Sequence, residues 1–143
     1  MSALGLKIID ESVQAANSWI NDLDDLTGWD HKQRSYRLLR AVIHVIRDHL
    51  NVDEAAQFGA QLPVLVRGIY YEGWNPSKTP VTERSRDGFI DRVQAAFRTD
   101  PMGDAPEAIA AVMTLLDARI SAGEMDDVRG TFTRQIRTLF PDA

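Results

Sequence analysis

The sequence predicts an all-α helical bundle, on three observations: apolar residues recur with the period of an α-helix, alternation of period two is hard to find, and the breaks between apolar runs carry helix caps. The first helix is expected from about Ser2 to Leu26, with Ile9, Val13, Ala16, Ile20 and Leu23 on its buried face and Thr27-Gly28 as its stop. Asp30 is the expected cap of the second helix, which reaches about Leu50 and buries Leu39, Val42, Val45, Ile46 and Leu50. The run "NVDE" reads as a capping box from Asn51 to Glu54 and opens a short third helix. Pro63, whose φ suits a first helical turn, opens a fourth through Tyr71.

From Trp19 onward, sliding the chain against itself by 70 positions lays apolar residues on apolar residues without a gap. Trp19-Ile20 falls on Phe89-Ile90, Ala41-Val42 on Ala111-Val112, Phe58 on Val128, Val66 on Ile136 and Ile69-Tyr70 on Leu139-Phe140. Ser121 and Glu124 repeat the capping box, and Asp100-Pro101 is the expected cap and first-turn proline of the later long helix. The reading is therefore a single all-α domain over residues 1–143, with two similar four-helix halves at 3–71 and 82–143 and a connector at 72–81. A lone unit of about 55 residues would sit near the lower limit of self-sufficiency, so the halves are expected to share one core. Val42 and Val112 should both lie in it.

Charge and composition exclude several classes of function. A net charge of -5 argues against general nucleic-acid binding, and no apolar run reaches the length of about 18 residues that spans a membrane. No export signal is read at the N-terminus, and the expected compartment is the cytoplasm. With no cysteine there is no disulfide, thiolate metal site or cysteine nucleophile. Neither an elbow, a P-loop nor a dinucleotide fingerprint occurs, so no catalytic residue, cofactor or metal is assigned and an enzyme is not expected. Ser35, Ser77, Ser85 and Ser121 read as caps or loop residues, and "NDLDDLTG" lacks the turn glycine and ligand spacing of a calcium loop. His44 and His49, five apart, point to different faces and read as partly exposed histidines rather than a ligand pair.

Taken as a set, Gln61-Leu62-Pro63, Tyr71-Glu72-Gly73-Trp74 with Pro76, Phe89-Ile90 with Val93, and Gly123-Glu124 with Asp127-Val128 resemble the bacterial family known as domain of unknown function 2267. The resemblance covers nearly the whole chain and implies a duplicated helical bundle. It implies no activity and transfers no catalytic residue. Where such proteins commonly carry a second Leu-Pro, Phe132-Thr133 stands here.

A residue present in both halves is most simply explained by the fold, whereas one present in a single half needs another reason. Arg67 and Arg137 recur, and read as an Arg to Glu bridge with Glu54 and Glu124 or as a charge at a helix C-terminus. Lys32, Arg34, Arg37, Arg40 and Arg47 make the second helix basic, while "MGDAPEAIA" opposite them has no base. A solvated face explains these bases; the sharper reading is a docking face for an acidic protein partner. Tyr70 should be core, since Phe140 repeats it, whereas Tyr71 and Trp74 lie beyond the repeated unit. Trp74 is expected either to plug the seam between halves, the preferred reading, or to stand as an exposed binding lip. The candidate interaction surface is thus Tyr71, Trp74, Arg34, Arg37 and Arg40, on a non-catalytic interaction or regulatory module. The alternative is a small-ligand binder with a pocket between the halves near Trp74. The oligomeric state is left open.

Overall fold

The computed structural model describes residues 4–141, and within them the chain is all-helical, with no strand among the described residues. Eight α-helices follow one another: α1 (Lys7–Thr27), α2 (Lys32–His49), α3 (Val52–Ala60), α4 (Val64–Tyr71), α5 (Arg86–Gln94), α6 (Ala105–Arg119), α7 (Ala122–Thr131) and α8 (Arg134–Arg137). Single 3-10 turns at Pro76–Lys78 and Ala95–Phe97 complete the order. Ser2 lies outside the described residues, and the expected start is corrected: Leu6 is the extended N-cap at φ -86 and ψ 115, so α1 begins only at Lys7.

The architecture is organised around α2. Ten of its 18 residues are buried, so it keeps almost no solvated face, and it packs against α1, α3, α4, α5 and α6. Its apolar side chains Leu38, Leu39, Val42, Ile43 and Ile46 are sealed, as are Val112 and Leu116 on α6. Burial of each such aliphatic side chain contributes about 1.5–3 kcal/mol, and the buried residues form one continuous core. Val42 and Val112 are both fully inaccessible.

Local signals set most helix ends. Gly28 closes α1 in the left-handed conformation at φ 69, and its N–H returns to Asp24 O. Asn51 and Glu54 form the reciprocal capping box of α3, and Ser121 accepts from Glu124 N–H to begin α7. Pro63 stands just outside α4 at the cap position, with its carbonyl accepting from Arg67 N–H. Thr133 occupies the same place before α8, its hydroxyl accepting from Ile136 N–H. Gly59 is needed for close packing: a Cβ there would lie 2.5 Å from the Tyr71 hydroxyl and 3.0 Å from the Tyr70 ring.

Three further expectations about the elements are corrected. Ile9 and Val13 are exposed, at 48% and 42%, because the first turns of α1 run beyond the helices that cover Ala16, Trp19 and Leu23. Asp30 does not cap α2; it adopts φ 51 within the turn, and His31 is the cap, its Nδ1 accepting from Arg34 N–H. Asp100-Pro101 does not open α6 either. Asp104 caps that helix through Glu107 N–H with Pro106 in its first turn, which frees Asp100 for a different task.

Candidate functional site

The bases of α2 are turned inward onto the protein itself. Arg34 donates from Nε to Asp100 Oδ2 at 3.1 Å and from an Nη to Pro101 O at 2.9 Å, while its guanidinium lies 3.9 Å over the Trp29 ring. Arg37 donates to the same Asp100 oxygen at 3.2 Å. Burial opposes ionisation of Asp100, yet the two guanidiniums hold its carboxyl below the usual carboxylate range. Arg40 pairs with Glu72 at 3.4 Å and Lys32 with Asp24 at 3.0 Å. Side-chain exposures of 16% for Arg34 and 35% for Arg37, against 43% for Arg40, leave Arg40 the most solvated of the three.

Arg47 is not part of a solvated face. Its side chain is 5% exposed, with Nε on Asp48 at 2.8 Å and one Nη shared between Tyr70 O at 2.6 Å and Glu72 O at 2.8 Å. A buried cation is tolerated because it meets a carboxylate and the free carbonyls at the end of α4 at once. Tyr70 lies against it, fully buried, with its hydroxyl donating to Ala55 O at 2.7 Å. Burial pushes the Tyr70 phenol far above its ordinary value. Tyr71 packs edge-on to Tyr70 with centroids 4.9 Å apart, and Trp74 tilts onto Tyr71 at 5.4 Å. Both outer rings are half-buried. The Trp74 indole N–H is buried and has no hydrogen-bond acceptor among the described residues.

His49 departs from the partly exposed histidine expected of it. It is fully buried, its Nδ1–H donating to Val45 O at 2.8 Å, with Phe89 and Phe132 at centroid distances of 5.2 and 5.8 Å. Nε2 is buried without a partner among the described residues; burial lowers the pKa of the ring, and Arg92 and Arg84 lower it further against the Val45 bond, which raises it. His44 is half-buried and donates to Ile69 O at 2.6 Å. Ser35 is also buried, not a cap, and donates to Asp24 Oδ1 at 2.6 Å. That bond, with the His31 N–H and Lys32, holds the buried Asp24 carboxyl at about 2 against its desolvation. These groups secure structure: each is turned to a neighbour rather than to a shared space.

Arg67 and Arg137 cap helix ends instead of bridging to Glu54 and Glu124. Arg67 donates to Gly59 O, Ala60 O and Leu62 O at the end of α3; Arg137 donates to Arg129 O and Phe132 O at the end of α7. Glu54 accepts from the Thr131 hydroxyl at 2.9 Å across the α3–α7 contact. Burial raises the pKa of Glu124 there, and the neighbouring Asp127 and Glu54 add to it. No group of three or more His, Asp or Glu side chains among the described residues is placed to hold a metal ion.

What remains open to solvent lies elsewhere. Leu4, Leu6, Ile8, Ile9 and Val13 are all exposed, from 42% to 77%. Leu6, Ile9 and Val13 continue, at spacings of three and four, the stripe that is buried at Ala16 and Leu23 and partly covered at Ile20 further along α1. Periodicity showed the stripe; its uncovered half could not be told from the covered half by spacing alone. A second feature is a concavity of about 370 Å³ between α1 and α6, lined by Leu26, Leu115 and Ala118 with Asp22, Asp25 and Thr114. Trp74 lines neither this concavity nor its neighbours.

Fold and surface together define an all-helical chain in which Asp24, Arg34, Arg47 and His49 serve packing, and which exposes apolar side chains on the first turns of α1 and hollows with acidic edges along α6. The model of the family described as an uncharacterized conserved protein, DUF2267, matches residues 16–139, and the chain belongs to that family. No curated protein matches it. No helix among the described residues is long and apolar enough to cross a membrane.

Proposed function

We propose that the chain is a non-catalytic protein-interaction module, built from two similar four-helix halves 70 residues apart that share one core. Support for the halves comes from element bounds and from a shared device: α2 and α6 end at His49 and Arg119, α3 and α7 begin at Val52 and Ala122, and Arg67 and Arg137 hold the carbonyls that end α3 and α7.

The observation that carries the interaction reading is the uncovered stripe of α1. Leu6, Ile8, Ile9 and Val13 leave four large apolar side chains in contact with water within eight residues, a concentration typical of recognition surfaces. Arg34 and Arg37 share Asp100 while Lys32, Arg40 and Arg47 each have a carboxylate of their own, so the basic helix offers an acidic partner about one uncompensated charge, and the reading moves to α1. A photo-crosslinking residue at Ile9, in the living source cell, should give one discrete heavier adduct. The same residue at Gln14, exposed and polar, should not. Equal smears from both positions, or no adduct from Ile9, would remove this reading.

A further inference from the structure

We propose that the trench between α1 and α6 docks a basic amphipathic helix from a partner protein. The trench is independent of the free α1 stripe, and either surface can fail alone. Its two walls are fastened together: Arg119 of α6 donates to Ser18 at 2.9 Å and pairs with Asp22, and its guanidinium stands over the Trp19 ring at 5.8 Å. Beside that fastening lies the concavity of about 370 Å³. It exists because α6 presents small side chains there: Thr114 and Ala118 are exposed and project little, while Leu115 forms the floor.

The concavity does not stand alone. Through Leu26 it adjoins a second, of about 150 Å³, walled by Trp29, Met102 and Ala108. Across Thr114 it adjoins a third, of about 350 Å³, with Met125 and Ala122. The three follow α6, whose 15 residues extend about 22 Å. The central and third hollows are mainly apolar and the second mainly polar, so the row suits a docked helix whose apolar side chains enter the central and third and whose polar end lies over the second.

Charge selects the occupant. Asp22 and Asp25 edge the central hollow, Asp104 and Glu107 the second, Asp117 and Asp126 the third. The cations within reach are engaged, Arg119 with Asp22 and Arg129 with Asp117. Glu107 and Asp126 make no ion pair among the described residues, and Asp25 only feels the charge of Lys32, which pairs with Asp24. A helix with lysine or arginine flanking its apolar stripe meets these carboxylates favourably, and an acidic helix or an anionic lipid surface is repelled. A second copy of this chain is equally unsuited, because its net charge is -5 and the arginines of its α2 are paired internally.

The test follows the backbone amides of the full chain by NMR while a synthetic leucine–lysine amphipathic peptide of about 18 residues is added. Its leucine–glutamate counterpart serves as the control. Saturable shifts centred on residues 22–26 and 114–118, weakening with salt, are expected from the first peptide only. Ala118→Arg fills the central hollow from an exposed position; with an unchanged thermal midpoint it should weaken binding at least about tenfold, about 1.4 kcal/mol. Glu107→Lys should weaken it in the same direction. Shifts centred on residues 6–13, equal binding of the glutamate peptide, indifference to Ala118→Arg, or no binding would each overturn the proposal.

Discussion

Arg47 on α2 and Asp117 on α6 stand 70 residues apart in the chain, at like turns of two long helices, and they live in different surroundings. Arg47 is sealed against Asp48 and the carbonyls of Tyr70 and Glu72. Asp117 keeps 30% of its side chain exposed and meets Arg129 at 2.6 Å near the surface. The next such pair repeats the contrast: His49 is locked between two phenylalanine rings, while Arg119 reaches out along α1. Position explains both. Helices surround α2, so its polar groups must find partners inside, whereas α6 borders the open trench and can lean its charges toward water. Similar helices therefore acquire different chemistry from what covers them, and the free face belongs to α6.

The largest expected effect tests what the two regions have in common. Val42→Asp and Val112→Asp each place an unpaired carboxylate in a fully inaccessible site, and each should cost at least about 3 kcal/mol in urea unfolding. One variant as stable as the parent would break the comparison at its base. The contrast itself is sharpened by Arg47→Met against Arg129→Met. Loss of Arg47 strands two carbonyls beneath the surface and should cost about 3 kcal/mol. Loss of Arg129, 19% exposed, releases a partner, Asp117, that is 30% exposed and can turn to water, at about 1 kcal/mol. Equal losses would mean that coverage does not separate the two helices.

Much of this arrangement was legible before any coordinates. Cap chemistry at Asn51, Glu54 and Ser121 is local, and the spacing of Val42, Val45 and Ile46 marks the buried face of α2. Other features depend on distant chain. Arg47 and His49 look like surface residues until the carbonyls of α4 and the ring of Phe132 close over them. Asp100-Pro101 carries a genuine cap signature, yet Arg34 and Arg37 claim the carboxylate and α6 begins at Ala105 instead. Of the candidate surface, Arg34 and Arg37 come together on Asp100, Arg40 pairs with Glu72, and Tyr71 and Trp74 stack on each other. The trench had no signature beyond alanines and acids, because a hollow is made by side chains that are short.

A pH titration probes the sealed side of α2 specifically. His49 has a folded-state pKa below its ordinary 6.5, first because burial disfavours the charged ring and then because Arg92 and Arg84 repel it; burial lowers His44 as well. The unfolded chain thus binds protons that the folded one refuses, so stability should be full above 6.5 and decline as pH falls below it. Asp24, held at about 2, loses its contribution only in the separate acidic window below its ordinary 3.8. His49→Leu should flatten the decline near 6 while leaving the lower window in place. A slope unchanged by that substitution would assign the decline to other groups.

An effect smaller than those at Val42, Val112 and Arg47 is expected at Trp74, where the two regions differ in how one aromatic ring is covered. Tyr70 has Tyr71 against it and Trp74 beyond, whereas Phe140, 70 residues later, is flanked by Phe132 at 5.7 Å and the Arg129 guanidinium at 4.9 Å. Trp74 is thus the outer layer of a stack, half in water, and its buried indole N–H gains no bond. A fully enclosed tryptophan cut to alanine costs about 3–5 kcal/mol through the cavity it leaves. A half-covered one loses part of that burial and leaves a gap that water can enter, so Trp74→Ala should cost about 1–2 kcal/mol. Trp74→Phe, which keeps a ring over Tyr71 and discards the unpaired N–H, should restore most of the loss. Denaturation midpoints of the two variants decide the matter: a cost above about 3 kcal/mol for alanine would make Trp74 a sealed plug, and no cost at all would leave it a free lip.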